Sequence, residues 1–194
     1  MNLRRRVNST VGCRPKMSAL TKILAPLALV VSFACSGFHG FTFRVPTESM
    51  APTVNPGDSV FADLFYYKHS PVQRGDIVVV KDPDGKMTVD GKREEMYVKR
   101  VIGLGGDKIQ ILSGKVLVND RVLNGFSTGK YASDFPIDDF GPVVVPQGEY
   151  FLVGDNLPNS YDSRQWKHST VNIDGIYGKV TAIQDGKTKN IRYL

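Results

Sequence analysis

Met96-Tyr-Val-Lys-Arg-Val-Ile102 is rich in β-branched and aromatic residues and therefore predicts a β-strand. Side chains of a strand point alternately to its two faces, so Tyr97, Lys99 and Val101 share one face. A lysine between apolar neighbours on a buried face loses water, which disfavours its charged form and lowers its pKa. Lowering that pKa from about 10.4 to about 8 costs roughly 3 kcal/mol, which a packed domain can supply. The alternative is an edge-strand lysine whose ammonium group reaches solvent.

Short apolar strands separated by turn residues continue through the rest of the chain after residue 43, with almost no helical periodicity. The further strands that we predict are Asp76–Val80, Lys108–Leu112, Lys115–Val118, Val143–Val145, Tyr150–Val153 and Gly175–Ile183. Ser113-Gly114 is a two-residue hairpin signal, and Lys86–Glu95 is polar enough for an exposed hairpin or loop. The sequence thus predicts a mainly β fold, with an antiparallel β-sheet domain over residues 44–194.

A basic leader, residues 1–22, precedes an apolar run over residues 23–43 whose only ionisable side chain apart from Cys35 is His39. About 21 helical residues span a hydrocarbon core of about 30 Å, so the run predicts a single transmembrane helix. Arginines before the run predict a cytoplasmic N-terminus and an extracytoplasmic body at the inner (plasma) membrane.

Two other interpretations of this run stay open. It fits a cleaved secretory signal with cleavage after Ala34, and Ala34-Cys35 resembles a degenerate lipidation site. Met17 is an alternative initiator, which would remove most of the basic flank without affecting the body.

Charge and cysteine content exclude several classes of protein. Much of the formal net charge of +6 lies near the N-terminus, whereas a nucleic-acid-binding domain concentrates basic residues on its folded surface. Both cysteines, Cys13 and Cys35, precede the body. A thiol nucleophile, a zinc–thiolate site and a disulfide framework are therefore excluded for residues 44–194. No calcium-loop pattern is present, so we expect neither a metal nor a cofactor.

Two polar segments carry candidate chemistry. Arg44–Asp58 contains three prolines, which favour a rigid irregular stretch, and it places Ser49 directly after the predicted anchor. Gly154–Arg164 is dense in hydrogen-bonding side chains and follows a predicted strand, where functional groups often lie. Taken singly, the first segment is compatible with a proline-rich linker and the second with a solvated turn.

Together these segments resemble, in order and spacing, the motifs of the type I signal peptidases. The resembling stretches are Ser49-Met50 with Pro52-Thr53, Arg74-Gly-Asp-Ile-Val-Val-Val80, Lys99-Arg-Val-Ile-Gly-Leu-Gly-Gly-Asp107 and Gly154-Asp-Asn-Leu-Pro-Asn-Ser-Tyr-Asp-Ser-Arg164. The resemblance covers roughly Phe43 to Lys179 and implies a membrane-bound serine endopeptidase that removes signal peptides from exported preproteins.

The resemblance implies a Ser–Lys dyad in which Ser49 is the nucleophile and neutral Lys99 is the general base. It assigns oxyanion binding to the Ser49 N–H and the Thr47 hydroxyl.

Four further positions receive supporting roles from the same resemblance. Ser160 would orient the lysine, Asp162 and Arg164 would form a supporting ion pair, and Met50 would line the substrate groove. The implied partners are preproteins with cleavable signal peptides and the bilayer itself, with no nucleic acid. The expected substrate is an extended peptide, bound by strand addition, with small residues before the cut.

Three rival functions remain. A Ser-His-Asp triad would use His168, the only histidine of serious interest. A narrow-specificity relative such as a pilin-maturation peptidase would share the Ser–Lys arrangement. An exported β-domain that only binds partners would leave Ser49 in a linker.

Overall fold

A computed structural model describes residues 40–84, 96–124 and 137–194, together with the backbone of residues 88–89 and 92–93. All of these residues belong to one compact unit, Gly37–Leu194. The leader and most of the predicted anchor lie outside the described residues.

The strands are short and follow one another closely along the chain. In the first half they are β1 (Gly40–Arg44), β2 (Ser59–Asp63), β3 (Ile77–Lys81), β4 (Thr88–Val89), β5 (Lys92–Arg93) and β6 (Met96–Leu104). In the second half they are β7 (Lys108–Leu112), β8 (Lys115–Val118), β9 (Arg121–Val122), β10 (Phe140–Val144), β11 (Glu149–Val153), β12 (Val171–Asn172), β13 (Ile176–Gln184) and β14 (Ile191–Tyr193). A short helix α1 (Tyr66–His69) and two 3-10 turns, Leu157–Asn159 and Ile173–Gly175, complete the elements.

The strands form one large antiparallel sheet and one smaller sheet. The large sheet has the order β1-β2-β13-β3-β6-β11-β12, and β14 pairs with β13. The smaller sheet has the order β10-β7-β8-β9, and β4 pairs with β5 as a separate hairpin. Strand β6 lies between β3 and β11, which are far apart in the sequence. It pairs with β3 along Met96–Arg100 and with β11 from Arg100 to Leu104.

The core follows from the alternation of apolar residues along these strands. In β6 the burial pattern alternates from Met96 to Val101, with Tyr97, Lys99 and Val101 buried. Tyr97 and Val101 pack with Val78 and Val80 of the neighbouring strand β3. The expected inward face of β6 is therefore confirmed, and it carries a fully buried lysine.

The predicted mainly β, antiparallel fold is confirmed. The Ser113-Gly114 hairpin joins β7 and β8, and both residues have positive φ angles, 49° and 73°, as a tight two-residue turn requires. The paired backbones of β4 and β5 agree with the polar hairpin expected over Lys86–Glu95.

The N-terminal boundary needs a correction. Residues 40–43, assigned from the sequence to the end of a membrane helix, lie in strand β1 and pair with β2. In the sequence, Phe41 and Phe43 continue the apolar run, although their spacing of two residues also suits a strand. Any membrane helix in this region therefore ends before Gly40. Within the part of the chain that the structure describes, no helix is long and apolar enough to cross a membrane.

Candidate active site

The site is built around a contact between two residues that lie far apart in the sequence. Lys99 Nζ lies 2.9 Å from Ser49 Oγ, although 50 positions separate them along the chain. Ser49 occupies a turn closed by a hydrogen bond from Ala51 N–H to the Glu48 carbonyl, at 2.9 Å. Lys99 projects from the centre of β6, so a rigid sheet presents the amine to the serine.

Lys99 is almost completely removed from water, with 1% of its surface exposed. Burial lowers its pKa from the ordinary value of 10.5 to about 8. The Asp162 carboxylate acts against this shift, the Arg164 guanidinium adds to it, and Asp155 again opposes it. A large fraction of neutral lysine is thereby available at mildly alkaline pH, which a proton acceptor requires.

Thr47 also contacts the serine hydroxyl. Its Oγ1 is 3.3 Å from Ser49 Oγ, and the side chain is half-buried. The structure thus brings together the three residues to which the resemblance gives the dyad and oxyanion roles.

Ser160 lies near the Ser49 backbone and lacks the hydrogen bond to Lys99 that the resemblance implies. A Cβ built on Gly154 would stand 2.2 Å from Ser160 Oγ and 2.4 Å from the Ser49 carbonyl oxygen, so these groups crowd the same glycine. Ser160 Oγ is buried and has no hydrogen-bond partner among the described residues. The prediction that Ser160 orients Lys99 stays a prediction, since the conformation here contains no bond between them.

The expected pair of Asp162 and Arg164 is present and buried. Arg164 Nε and Nη2 donate to the two carboxylate oxygens of Asp162 at 2.8 and 2.9 Å. Asp162 also accepts from the Gly154 N–H at 3.0 Å, and Arg164 donates to the carbonyls of Leu157 and Ser160. The ion pair therefore holds the loop 154–164 in one shape.

Sequence reasoning missed a second bidentate pair next to the lysine. Arg100 donates to both carboxylate oxygens of Asp155 at 2.8 and 2.6 Å, and to the Gly75 carbonyl at 2.8 Å. Arg100 follows Lys99 directly, and Asp155 follows the end of β11. The local signal was a pair of opposite charges beside candidate residues, but nothing local showed that they meet.

A cleft passes the Ser49–Lys99 contact. Its lining residues are Phe43, Arg44, Val45, Pro46, Thr47, Ser49, Val79, Met96, Tyr97, Val98 and Lys99. Met50 is absent from this lining and has 0% exposure, because its apolar side chain packs inward against Val54 and Val60. The expectation that Met50 lines the groove is therefore wrong for this conformation.

The rival catalytic triad finds no support in this geometry. His168 is exposed, and no histidine among the described residues forms a hydrogen bond with Ser49. The described residues also contain no cluster of histidine, cysteine or carboxylate side chains that could hold a metal ion. A serine hydroxyl beside a desolvated lysine is one of the known nucleophile–base arrangements of serine hydrolases.

Comparison with known proteins agrees with this class. The family described as "Signal peptidase, peptidase S26" matches residues 17–184. A signal peptidase I from Leptolyngbya laminosa is 33% identical over 140 residues, which cover 72% of this chain and 67% of that protein. Signal peptidase I P from Bacillus subtilis subsp. natto is 35% identical over 144 residues, covering 71% and 74%.

Among solved structures, a signal peptidase I from Enterococcus faecalis V583 covers 58% of this chain and 98% of its own, with 25% identity and a TM-score of 0.45.

The chain belongs to the peptidase S26 family of signal peptidases. It is accordingly a serine endopeptidase of that family.

Proposed function

We propose that this chain is a membrane-tethered endopeptidase that removes N-terminal signal peptides from exported preproteins, with Ser49 as nucleophile and Lys99 as general base. The observation that carries the proposal is the 2.9 Å contact between Lys99 Nζ and Ser49 Oγ, formed by a lysine that is only 1% exposed. A solvated lysine would stay protonated near neutral pH and could not accept the serine proton.

In the reaction, neutral Lys99 Nζ accepts the proton as Ser49 Oγ bonds to the scissile carbonyl carbon. The carbonyl oxygen becomes an oxyanion, which the Ser49 N–H and the Thr47 hydroxyl would bind; one such donor is typically worth about 3 kcal/mol. Lys99 then returns the proton to the leaving amine as the peptide C–N bond breaks. Water hydrolyses the acyl-enzyme through the same lysine and frees Ser49.

The free edge of β6 suits a substrate bound as an added strand. Met96–Lys99 pairs with β3 on one side, and β11 joins the other side only from Arg100 onward. Among the described residues, no strand pairs with that second edge of Met96–Lys99, which lines the cleft beside Ser49. An extended signal peptide could hydrogen-bond along this edge, while the mainly apolar cleft would receive its small side chains.

The anchor belongs to the same proposal. An apolar segment ending before Gly40 would place Ser49 close to the bilayer surface, because only a short strand and turn separate them. The apolar core of a signal peptide would occupy the same bilayer, which confines both reactants to one plane.

Incubation of the detergent-solubilised full chain with a preprotein should release the mature protein, cut after a small residue. Mass spectrometry of the new N-terminus identifies the bond, and replacing the small residue before the cut by a bulky one should prevent cleavage. A preparation of Ser49→Ala protein controls for contaminating peptidases, and His168→Ala should cleave normally. Absence of a defined cut, or equal cutting of the bulky substrate, would contradict the proposed specificity.

The same chain in membranes should resist alkaline carbonate extraction, because a membrane-spanning segment is not released by high pH. Release of the chain into the supernatant would contradict the anchor.

The pH dependence of cleavage should report the state of Lys99. Below about pH 8 the Lys99 amine is protonated and cannot act as a base. The value of kcat/KM should therefore rise as the pH increases through about 8 and then level off. The measurement is kcat/KM between pH 6 and 10 on a substrate with no titratable group near the cut. A flat profile over this range would be incompatible with a lysine base.

A further inference from the structure

Asn156 contacts the nucleophile's turn twice, yet it has no part in the dyad. Its backbone N–H donates to the Ser49 carbonyl at 3.0 Å, and its Nδ2 donates to the Glu48 carbonyl at 3.1 Å. Asn156 itself has 0% exposure. One residue of the loop 154–164 thus holds two successive carbonyls around the catalytic serine.

The Glu48 carbonyl matters because it shares a peptide unit with the Ser49 N–H. That peptide bond is trans, so its C=O and N–H lie in one plane and point in opposite directions. The Glu48 oxygen accepts from both Asn156 Nδ2 and Ala51 N–H, which leaves the plane little freedom to rotate. The Ser49 N–H at the other end donates to none of the residues that the structure describes, so it is free to bind a substrate oxygen.

The orientation of the Asn156 amide is also determined. Turning it over would bring Oδ1 against the Glu48 oxygen, placing two acceptors face to face. In the observed orientation Oδ1 is buried and has no partner among the described residues. A buried acceptor without a partner destabilises a fold. A functional role for Asn156 Nδ2 would explain why this cost is tolerated.

We infer that Asn156 is a positioning residue for oxyanion binding: by holding the Glu48 carbonyl, its side-chain amide aims the Ser49 N–H at the developing oxyanion. The inference rests on the proposed Ser49 mechanism. A hydrogen bond to a peptide carbonyl also polarises the unit and strengthens its N–H as a donor. Asn156 therefore acts through the Ser49 peptide and need not touch the substrate.

The test replaces Asn156 by aspartate, which keeps the size but puts an acceptor where the donor stood, and by serine, which is too short to reach. Removing an oxyanion donor outright lowers kcat by about 10²–10³-fold. Misdirecting the Ser49 N–H should lower kcat by about 30- to 100-fold, with KM changed less than about threefold. Asn159→Ala is the matched control, because Asn159 is exposed on the same loop and should keep normal kinetics.

A peptide aldehyde separates positioning from general structural damage. Ser49 Oγ adds to the aldehyde carbon, and the former carbonyl oxygen occupies the oxyanion position of a tetrahedral adduct. The affinity of the peptide aldehyde should fall in the Asn156 variants by the same factor as kcat/KM, whereas a cleavage-product peptide should bind as tightly as it binds the wild-type protein. In the Asn156→Ser variant, which adds no charge, the rise in kcat/KM near pH 8 should stay in place because Lys99 and its charged neighbours are untouched.

Three results would overturn the inference: normal kcat in both variants, equal losses of aldehyde and product-peptide affinity, or failure of both variants to fold, which would make Asn156 purely structural. Failure of the proposed function looks different. In that case the wild-type protein would not capture the aldehyde, and Ser49→Ala would still cleave the preprotein.

Discussion

Replacing Lys99 by methionine is expected to abolish cleavage and, at the same time, to make the folded domain more stable. Without a base the serine hydroxyl is a poor nucleophile, so kcat should fall by about 10⁴-fold or more. Ser49→Ala should cause a similar loss, and the double variant should lose little more, because the two side chains act as one unit.

The stability gain follows from the depressed pKa of Lys99. The folded-state pKa of about 8 lies below the ordinary value of 10.5, so below pH 8 the folded state holds a buried ammonium at a cost of about 3 kcal/mol. Methionine has a similar unbranched shape and no charge, although it loses the hydrogen bond to Ser49, worth about 1 kcal/mol. The net gain at pH 7 should be about 2 kcal/mol, or about 4 to 8 °C in Tm.

The sign of the pH dependence provides an internal check. As pH rises from 8 to 10.5 the folded protein loses the lysine proton before the unfolded chain does, so the wild-type penalty fades. The gain in Tm of the Lys99→Met protein over wild type should therefore shrink across this interval. Lys115→Met is the matched control, since Lys115 lies on strand β8 but is exposed. A Lys99→Met protein that cleaves normally, or that is less stable than wild type at pH 7, would contradict the assignment.

Local sequence patterns predicted much of the scaffold, because strands and hairpins are specified by neighbouring residues. The alternation around Lys99 correctly predicted the buried face of β6, and Ser113-Gly114 correctly predicted a hairpin. Strand β1 was missed because its phenylalanines continue the preceding apolar run. Strand β2 (Ser59–Asp63) and the terminal strand β14 were also missed from the sequence; in the structure both pair with β13.

The site was predictable only in part, since its contacts join distant segments. No local pattern shows that Ser49 meets Lys99; that expectation came from the resemblance to signal peptidases. Interactions of Asn156 with the serine's turn and of Arg100 with Asp155 depend on how the loop after β11 folds back. Met50 was misplaced for the same reason, because adjacency to a nucleophile does not tell which way a side chain turns.

Adding one methyl group at Gly154 should severely damage the site. Its Cβ would lie 2.4 Å from the Ser49 carbonyl oxygen and 2.2 Å from Ser160 Oγ, both far inside contact distance. The Ser49 carbonyl cannot yield without moving the turn, because the Asn156 N–H holds it at 3.0 Å. A displacement of about 1 Å at a reacting group can lower the rate about 10²-fold, so we expect Gly154→Ala to lose at least that factor in kcat.

The same substitution should lower the free energy of unfolding by about 1–3 kcal/mol, as overpacking of a tight interior does. Gly175→Ala is the matched control, because its nearest neighbour, Val171 Cβ, would be 3.4 Å away, an ordinary contact. Adding Ser160→Ala to Gly154→Ala should not restore activity, since the clash with the Ser49 oxygen remains. Restoration would show that the Ser160 side chain alone was the obstacle. Activity of Gly154→Ala within about twofold of wild type would contradict the close packing of loop 154–164 against Ser49.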